Sequence, residues 1–204
     1  MLEEKNIPYQ YIKVNPYHKP ESLLQWKLRG LVPTLEYDSK PLYESTVVCE
    51  FLEDAYPDHG LKLLPSDPYT RAQMRIWTDF VSTRIIPAFH RFLQFQPEQS
   101  SSTIDKVRSD FLKILRQFGE AMDEDGPFFL GKKPSLVDFA LAPWAVRLWI
   151  FNHWKGGLGM PSPGKSSDER AWSKWRRWLA AIQDRKSIRE TTSDKEHYIP
   201  IYER

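Results

Sequence analysis

The pair Glu44-Ser45 precedes an apolar helical stripe, and its two side chains can hold the free end of an amino acid. A serine in the first turn of a helix offers its hydroxyl together with backbone N–H groups that the helix leaves unpaired, and such donors bind a carboxylate. The Glu44 carboxylate would then pair with the ligand's ammonium group. The alternative is an ordinary helix cap, in which Ser45 accepts a backbone N–H and Glu44 complements the helix dipole.

A second candidate is Val32-Pro33, within Leu31-Val-Pro-Thr-Leu35. The cis form of an X–Pro bond costs only about 0.5 to 1 kcal/mol, and a cis bond here would turn the backbone N–H and C=O of Val32 outward. An extended peptide ligand would pair with these groups like an added strand. A proline that merely begins a strand gives the same pattern, so both interpretations stay open.

A small α/β unit is predicted to position these residues. Aromatic and β-branched residues predict a short strand at 9–14, and the residues at 2–5 before it resemble the last turn of a helix. The turn pair Asp38-Ser39 predicts a hairpin of strands 34–37 and 41–43. The unit is therefore expected to contain both strands and helices.

A helix over 46–56 completes this unit, with Ser45 as its N-cap, and the pattern changes at about residue 64. Beyond that point only helical periods recur. We therefore expect an α/β domain over 1–64 and an all-helical domain over 65–204.

The second domain is predicted to be a bundle. Its helices are expected at 69–94, 104–122, 135–150 and 172–182, followed by a polar tail over 187–204 that lies on the surface. Pro87 is expected to kink or split the first of them. Ser135 and Asp138 have the spacing of a capping box, and the helix after them is apolar nearly all round, so we expect it at the centre of the bundle.

Composition excludes several classes of protein. The 204 residues are 41% hydrophobic, enough for a large core, and a formal charge of +2 does not point to nucleic acid as a partner. The longest apolar stretch, 139–151, is interrupted by Arg147 and is too short to span a bilayer, so no membrane partner is expected. A single cysteine, five histidines without metal-ligand spacing and a start without an apolar signal core predict a cytoplasmic protein with no metal site.

Several motifs together resemble the glutathione-binding half of a glutathione transferase of the omega-like, largely fungal type. They are Lys19-Pro-Glu21, Gly30-Leu-Val-Pro33, Tyr43-Glu-Ser45 and Cys49-Glu-Phe-Leu-Glu-Asp-Ala-Tyr-Pro57, followed by a linker-like Leu64–Pro68 and the helix start Gly131–Asp138. One departure is Lys27-Leu28, where relatives usually have Asn-Pro. The resemblance implies a thioredoxin-like domain joined to an all-α domain, with glutathione as the co-substrate.

The resemblance also implies roles for single residues. Val32, before a cis Pro33, would pair with the cysteinyl backbone of glutathione. Glu44 and Ser45 would hold its γ-glutamyl end, and Lys19 would reach its glycyl carboxylate. The pocket for an apolar, conjugated electrophile would be formed by Trp77, Phe80, Arg84, Trp144, Arg147 and Trp149. Ordinary core packing would account for most of these aromatic residues as well.

In the family a strand and a helix precede what is here Leu2–Lys5, and the turn between them carries the residue that contacts the glutathione sulfur. We therefore expect an N-terminally truncated thioredoxin-like domain, which is either a shortened form of a longer protein or one whose gap is filled by rearrangement or by a partner subunit. No catalytic, thiol-activating residue is assigned. Cys49 is expected to be a buried structural thiol, and Tyr11, Tyr17 and His18 are the remaining candidates.

Three functions follow from the resemblance. The first is a dimeric glutathione-dependent transferase acting on a small apolar electrophile, in fungal secondary metabolism. The second is a glutathione-dependent isomerase, in which reversible thiol addition lets a conjugated double bond rotate. The third is a glutathione-fold binding or regulatory protein without catalysis. Whether glutathione is consumed, merely required, or inert distinguishes the three.

Overall fold

The computed structural model describes residues 1–15, 18–26, 30, 32–96 and 103–203. Two compact units make up the chain, Met1–Leu64 and Pro65–Arg204. Tyr17, the pair Lys27-Leu28 and Leu31, which the sequence singled out, lie outside the described residues.

The first unit contains a two-stranded sheet and short helices. Its elements are α1 (Leu2–Lys5), α2 (Glu21–Trp26), β1 (Thr34–Tyr37), β2 (Lys40–Tyr43) and α3 (Ser45–Ala55). The strands form an antiparallel hairpin whose open end pairs Thr34 with Tyr43. Val48 and Leu52 of α3 pack with Ile7 in the core of the unit. The hairpin, the short helix before residue 9 and the helix after the hairpin confirm the sequence predictions.

The strand predicted at 9–14 is wrong. The described sheet consists of β1 and β2, and Tyr11 and Ile12 are 77% and 69% exposed. A strand needs a neighbour that satisfies its backbone groups, and residue types alone do not supply one. Helix α2 was not predicted, because six residues are too few to show a helical period.

The start of α3 differs by one residue from the prediction. Ser45 is the first helical residue and not the N-cap, since Glu44, with a φ of 66°, precedes the helix. The Glu44 carbonyl accepts the Val48 N–H at 2.9 Å, which is the first hydrogen bond of the helix. Among the described residues the Ser45 hydroxyl caps no backbone group.

The second unit is all-helical, as predicted. Its elements are α4 (Pro68–Phe80), a π-helical turn (Val81–Ile85), α5 (Ile86–Leu93), α6 (Ile104–Ala121), α7 (Leu136–Ala145), α8 (Ile150–Trp154), α9 (Glu169–Asp184), α10 (Lys186–Thr191) and α11 (Lys195–Tyr202). The buried rings of Phe118, Trp175 and Trp178 join α6 to α9. These large side chains form much of the core.

The division of the helix predicted at 69–94 is confirmed. α4 gives way to the π-helical turn at Val81, and Pro87 lies in the first turn of α5, which follows that turn. Proline has no N–H to donate and its ring clashes with the preceding turn, so a continuous α-helix is disfavoured there.

The helix predicted over 135–150 ends earlier, at Ala145. In a longer helix the Pro143 carbonyl would accept the backbone N–H of Arg147. Here it accepts the Nε–H of the Arg147 side chain instead. The Arg147 amide donates instead to Trp144, only three residues back. The chain therefore turns through four residues before α8 begins.

The polar tail beyond residue 187 contains α10 and α11, neither of which its polarity predicted. α11 is fixed by a long-range contact, since the Arg147 guanidinium donates to the Tyr202 hydroxyl at 2.7 Å. Such a contact spans 55 residues and leaves no local pattern in the sequence.

The capping box at the start of α7 is confirmed, with Ser135 and Asp138 as its members. The buried Asp138 carboxylate accepts both the N–H and the hydroxyl of Ser135, at 2.7 and 2.9 Å. It also accepts the Phe129 N–H and the Trp178 Nε1–H, each at 2.8 Å. Burial raises the pKa of Asp138, and the four donors oppose that rise.

Candidate functional site

The open end of the hairpin brings four of the predicted site residues together. Because Thr34 and Tyr43 form the last pair of the ladder, Val32-Pro33 and Glu44-Ser45 lead away from the same end. The Val32–Pro33 bond is cis. Val32 is 58% exposed, and its backbone forms no hydrogen bond with the described residues. An extended ligand therefore has a free backbone edge at this point.

The start of α3 provides donors at this end of the hairpin. Ser45 is exposed, and its hydroxyl forms no hydrogen bond within the described part of the chain. The first backbone N–H groups of a helix have no partner within the helix. An anion bound at this point could therefore accept from these amides and from the hydroxyl together. The first turn of α3 contains no acidic residue. It therefore suits a carboxylate.

Lys19 lies beside the segment that leads to Val32. Gly30 has a φ of 53°, and a Cβ atom built there would be 2.8 Å from Lys19 Cδ and 2.9 Å from Leu24 Cδ2. Only a glycine leaves room for the aliphatic part of Lys19 to lie this close. Lys19 is exposed and adds a cation to the same end of the unit.

The predicted electrophile-pocket residues separate into two groups in the second unit. In the first, the rings of Trp77 and Phe80 lie 5.0 Å apart, and Trp77 continues into the core at Phe129 and Phe118, at 5.4 and 5.9 Å. Arg84 is exposed on the π-helical turn. The contacts of Trp77 match the core-packing alternative that the sequence left open.

The second group surrounds Arg147 and is here called the Arg147 cluster. The guanidinium carbon lies 4.7 Å from the Trp144 ring centre and 5.6 Å from that of Tyr198, and the guanidinium binds the Tyr202 hydroxyl. His90 of α5 lies against Trp144 at 5.2 Å, and burial followed by the charge of Arg147 lowers its pKa. His90, Tyr198 and Tyr202 were not predicted as site residues from the sequence. The spacing of four between the two tyrosines was the only local signal.

Known proteins match both units. Residues 1–55 match the family described as glutathione S-transferase, N-terminal domain, and residues 101–181 match glutathione S-transferase, C-terminal domain. The chain is 44% identical to glutathione transferase Omega 3C from Trametes versicolor, over 99% of this chain and 81% of that chain, with a TM-score of 0.84. The chain belongs to the glutathione transferase family.

Other relatives support an omega-like glutathione transferase. Glutathione S-transferase omega-1 from Sus scrofa is 35% identical over 72% of this chain, and the match spans 60% of the pig protein. Protein LigF from Sphingobium is 44% identical over 84 residues, which are 39% of this chain and 32% of LigF. The crystal structure of LigF, a beta-etherase, covers 93% of this chain and 90% of its own at 23% identity, with a TM-score of 0.68. The expected fold, a thioredoxin-like domain followed by a helical domain, is confirmed.

The residues suggested as thiol activators differ in their surroundings in this glutathione transferase. Cys49 is half-buried on α3, and burial raises the pKa of its thiol, which favours the protonated form. Tyr11 and His18 are exposed to solvent. The described part of the chain therefore gives no reason to assign one of them the thiolate-stabilising role.

Basic residues of α9 alternate with tryptophans, and two of these basic side chains bind carbonyl and carboxylate groups near the end of α6. Lys174 is 5% exposed and donates to the carbonyls of Glu120 and Met122 at 2.7 and 2.8 Å, near the end of α6. Arg170 pairs with Glu124 at 2.6 Å, and its hydrogen bond together with that of Lys174 lowers the pKa of Glu124 to about 2. These cations stabilise the helix ends and the bundle.

Two kinds of site are not found in the described ranges of this glutathione transferase. The described His, Cys, Asp and Glu side chains form no group of three that could hold a metal ion. None of the described helices is both long and apolar enough to cross a membrane.

Glycine at position 44 is expected to give a more stable protein than alanine. The φ of 66° at Glu44 is unfavourable for any residue with a Cβ atom but not for glycine. Both substitutions remove the same carboxylate, so we expect Glu44→Gly to exceed Glu44→Ala by about 1 kcal/mol in free energy of unfolding. Urea titrations followed by circular dichroism measure this difference. A more stable alanine variant would contradict the left-handed backbone at this residue.

Proposed function

We propose that this glutathione transferase binds glutathione at the open end of the hairpin. The observation that carries the proposal is the start of α3, where the exposed Ser45 hydroxyl has no partner among the described residues and adjoins unpaired backbone N–H groups. One carboxylate would satisfy these donors together. The neighbouring Glu44 would pair with an ammonium group. Glutathione carries both groups on its γ-glutamyl end.

The other parts of glutathione suit the neighbouring residues. The free backbone edge of Val32 would pair with the cysteinyl residue in the manner of an added strand. Lys19, held beside Gly30, would reach the glycyl carboxylate. The donors and charges at this end of the unit therefore match each polar part of the tripeptide.

The proposed reaction is transfer of glutathione to an apolar, conjugated electrophile. Bound glutathione supplies a thiolate, which forms a C–S bond with the electrophilic carbon. The displaced electron pair either leaves with a leaving group or takes up a proton at the far end of the conjugated system. The half-buried rings of the Arg147 cluster would suit the flat shape of such an electrophile.

One assay separates transfer from the two alternatives. We expect loss of one thiol for each product formed when the protein, glutathione and a panel of conjugated ketones are mixed. The panel includes an ether, since LigF is a beta-etherase. Product formation without loss of thiol would instead support cis/trans isomerisation by reversible addition. The non-catalytic alternative, which is favoured because no thiol-activating residue is assigned, predicts binding of glutathione without turnover of any electrophile.

We further propose a homodimer that works in the cytosol, with a role in secondary metabolism. Membership of the glutathione transferase family supports the dimer, and a single cysteine, which cannot form an intramolecular disulfide, suits a reducing compartment. Sedimentation equilibrium is expected to give twice the mass of the chain. A mass of 24.1 kDa would show a monomer and contradict the dimer.

A further inference from the structure

The Arg147 cluster contains a cation that has no negative partner in the described part of the chain. A guanidinium group has five N–H groups. Two of those of Arg147 donate, one to the Pro143 carbonyl and one to the Tyr202 hydroxyl. The other three have no partner among the described residues, and no described carboxylate pairs with the guanidinium. Because Arg147 is half-buried, water screens its charge incompletely, and a bound anion would stabilise it.

Two aromatic rings hold this guanidinium in place. Its central carbon lies 4.7 Å from the centre of the Trp144 ring and 5.6 Å from that of Tyr198. The side chain is therefore positioned before a ligand arrives, which favours the two parallel hydrogen bonds that an arginine forms with a carboxylate. Both rings are half-buried and leave apolar surface exposed. A flat group attached to the carboxylate would cover that surface.

His90 adds a hydrogen-bond donor to this cluster but no second charge. Its ring lies 5.2 Å from that of Trp144, and burial followed by the charge of Arg147 lowers its pKa. The imidazole is therefore neutral at pH 7, and its one N–H has no acceptor among the described residues. A ligand with one negative charge would neutralise the cluster, whereas a second charge would find no further cation in it. The cluster therefore suits a monoanion.

From these contacts we infer that the electrophile carries one carboxylate and that Arg147 selects it. The carboxylate would accept hydrogen bonds from the guanidinium, while the conjugated body would lie against Trp144. The assignment rests on the proposed function, which gives this chain a conjugated electrophile as its substrate.

The carboxylate binds the substrate and takes no part in the bond changes. With an enone, the glutathione thiolate forms a C–S bond at the β-carbon, and the π-electron pair moves onto the carbonyl oxygen as an enolate. The α-carbon then takes up one proton from solvent. Loss of the carboxylate contact is therefore expected to weaken binding of the ground state and the transition state alike.

A matched pair of enones tests the assignment. 4-Carboxychalcone and its neutral amide, 4-carbamoylchalcone, share one conjugated body, and only the first is charged at pH 7. Loss of enone absorbance in the presence of glutathione gives kcat/KM for each compound. Calorimetric titration of the whole protein with each compound, without glutathione, gives the Kd.

Three variants are compared with the wild-type protein. Arg147→Gln removes the charge, and Tyr202→Phe removes the hydroxyl that Arg147 binds but keeps the charge. Arg91→Gln is the matched control, because Arg91 is exposed beside His90 on α5 and its charge acts on Asp110. Circular dichroism shows whether each variant is folded.

Each variant has its own expected result. Arg147→Gln is expected to lower kcat/KM for the acid and to raise its Kd by about tenfold to a hundredfold, because a charged hydrogen-bonded pair is lost. The amide is expected to stay within about threefold of its wild-type values. Tyr202→Phe is expected to keep the wild-type preference for the acid, since the guanidinium remains. Arg91→Gln should change neither compound.

Other results overturn the assignment. Equal losses for both compounds in Arg147→Gln, repeated in Tyr202→Phe, would show that Arg147 only fastens α11, and unchanged values for both would place the carboxylate elsewhere. If Arg147→Gln does not fold, Arg147→Lys decides, because lysine lacks the paired N–H groups. It is then expected to lower the preference for the acid by about threefold or more, and an unchanged preference would contradict the assignment.

Failure of the proposed function gives a different pattern. A contrast between the two compounds in calorimetry, without turnover of either, would contradict the transferase and leave the carboxylate site in place. Turnover of both compounds without any contrast would contradict the carboxylate alone.

Discussion

Asparagine in place of Asp138 is expected to lower the free energy of unfolding of the second unit by about 3 kcal/mol, although the two side chains have the same shape. The Asp138 carboxylate accepts four hydrogen bonds, two at each oxygen, and it donates none. An asparagine NH2 group would face backbone or indole N–H groups and leave at least one buried donor unpaired. Urea unfolding followed by tryptophan fluorescence measures the change.

Asp168→Asn is the matched control for this substitution. Asp168 precedes α9 as Asp138 lies at the start of α7, but its side chain is 43% exposed and caps no backbone group. We expect its replacement to change the free energy of unfolding by less than about 0.5 kcal/mol. Similar unfolding midpoints for the two variants would show that the four hydrogen bonds of Asp138 do not stabilise the unit.

Methionine in place of Lys5 is expected to destabilise the first unit by about 3 to 5 kcal/mol. Lys5 is fully buried, and its ammonium lies 2.9 Å from Glu53 Oε1. The other oxygen of Glu53 accepts the backbone N–H groups of Leu63 and Leu64, at 3.0 and 3.4 Å. Without Lys5 a buried carboxylate would lose its partner charge. Hydrogen exchange of α3 peptides by mass spectrometry is expected to show faster opening.

A double variant separates the charge from the packing. In Lys5→Met/Glu53→Gln the glutamine oxygen can still accept from Leu63 and Leu64, and no buried charge remains. We expect it to recover about half of the lost stability. Lys13→Met, at an exposed position, should have no effect. If the double variant is less stable than Lys5→Met alone, the unpaired charge is not the cause of the loss.

Local signals in the sequence predicted much of the fold. The capping box at Ser135 and Asp138, the turn pair Asp38-Ser39 and the helix break before Pro87 each depend on a few neighbouring residues. Their physical causes are a cap, a turn and a missing N–H, and each cause acts within one turn of chain. Such features are visible in the sequence for that reason.

Features that depend on distant residues were predicted less well. The segment 9–14 has the residue types of a strand, but it has no strand neighbour in the described sheet. The ion pair of Lys5 with Glu53 joins residues 48 apart, and both members look like surface residues in the sequence. Tyr202 reaches Arg147 from a tail that was expected only to lie on the surface.

In the candidate site, too, the features set by neighbouring residues were predicted and those set by distant residues were not. Glu44-Ser45 and Val32-Pro33 stand in short motifs, so the sequence singled them out as residues. The register of the hairpin, which pairs Thr34 with Tyr43, is what brings the two motifs to one end of the unit. The fit of Lys19 against Gly30 depends on a left-handed φ that no local pattern specified.

Calorimetric titration with glutathione tests the central claim most directly. The wild-type protein is expected to bind one glutathione per chain. Ser45→Ala is expected to weaken binding by about 1 to 3 kcal/mol, because a bound carboxylate loses a hydroxyl donor. Thr46→Ala removes an exposed hydroxyl one residue further along the same turn, and should leave the affinity within about twofold of wild type. Absence of binding, or equal affinities for wild type and Ser45→Ala, would contradict a glutathione site at the start of α3.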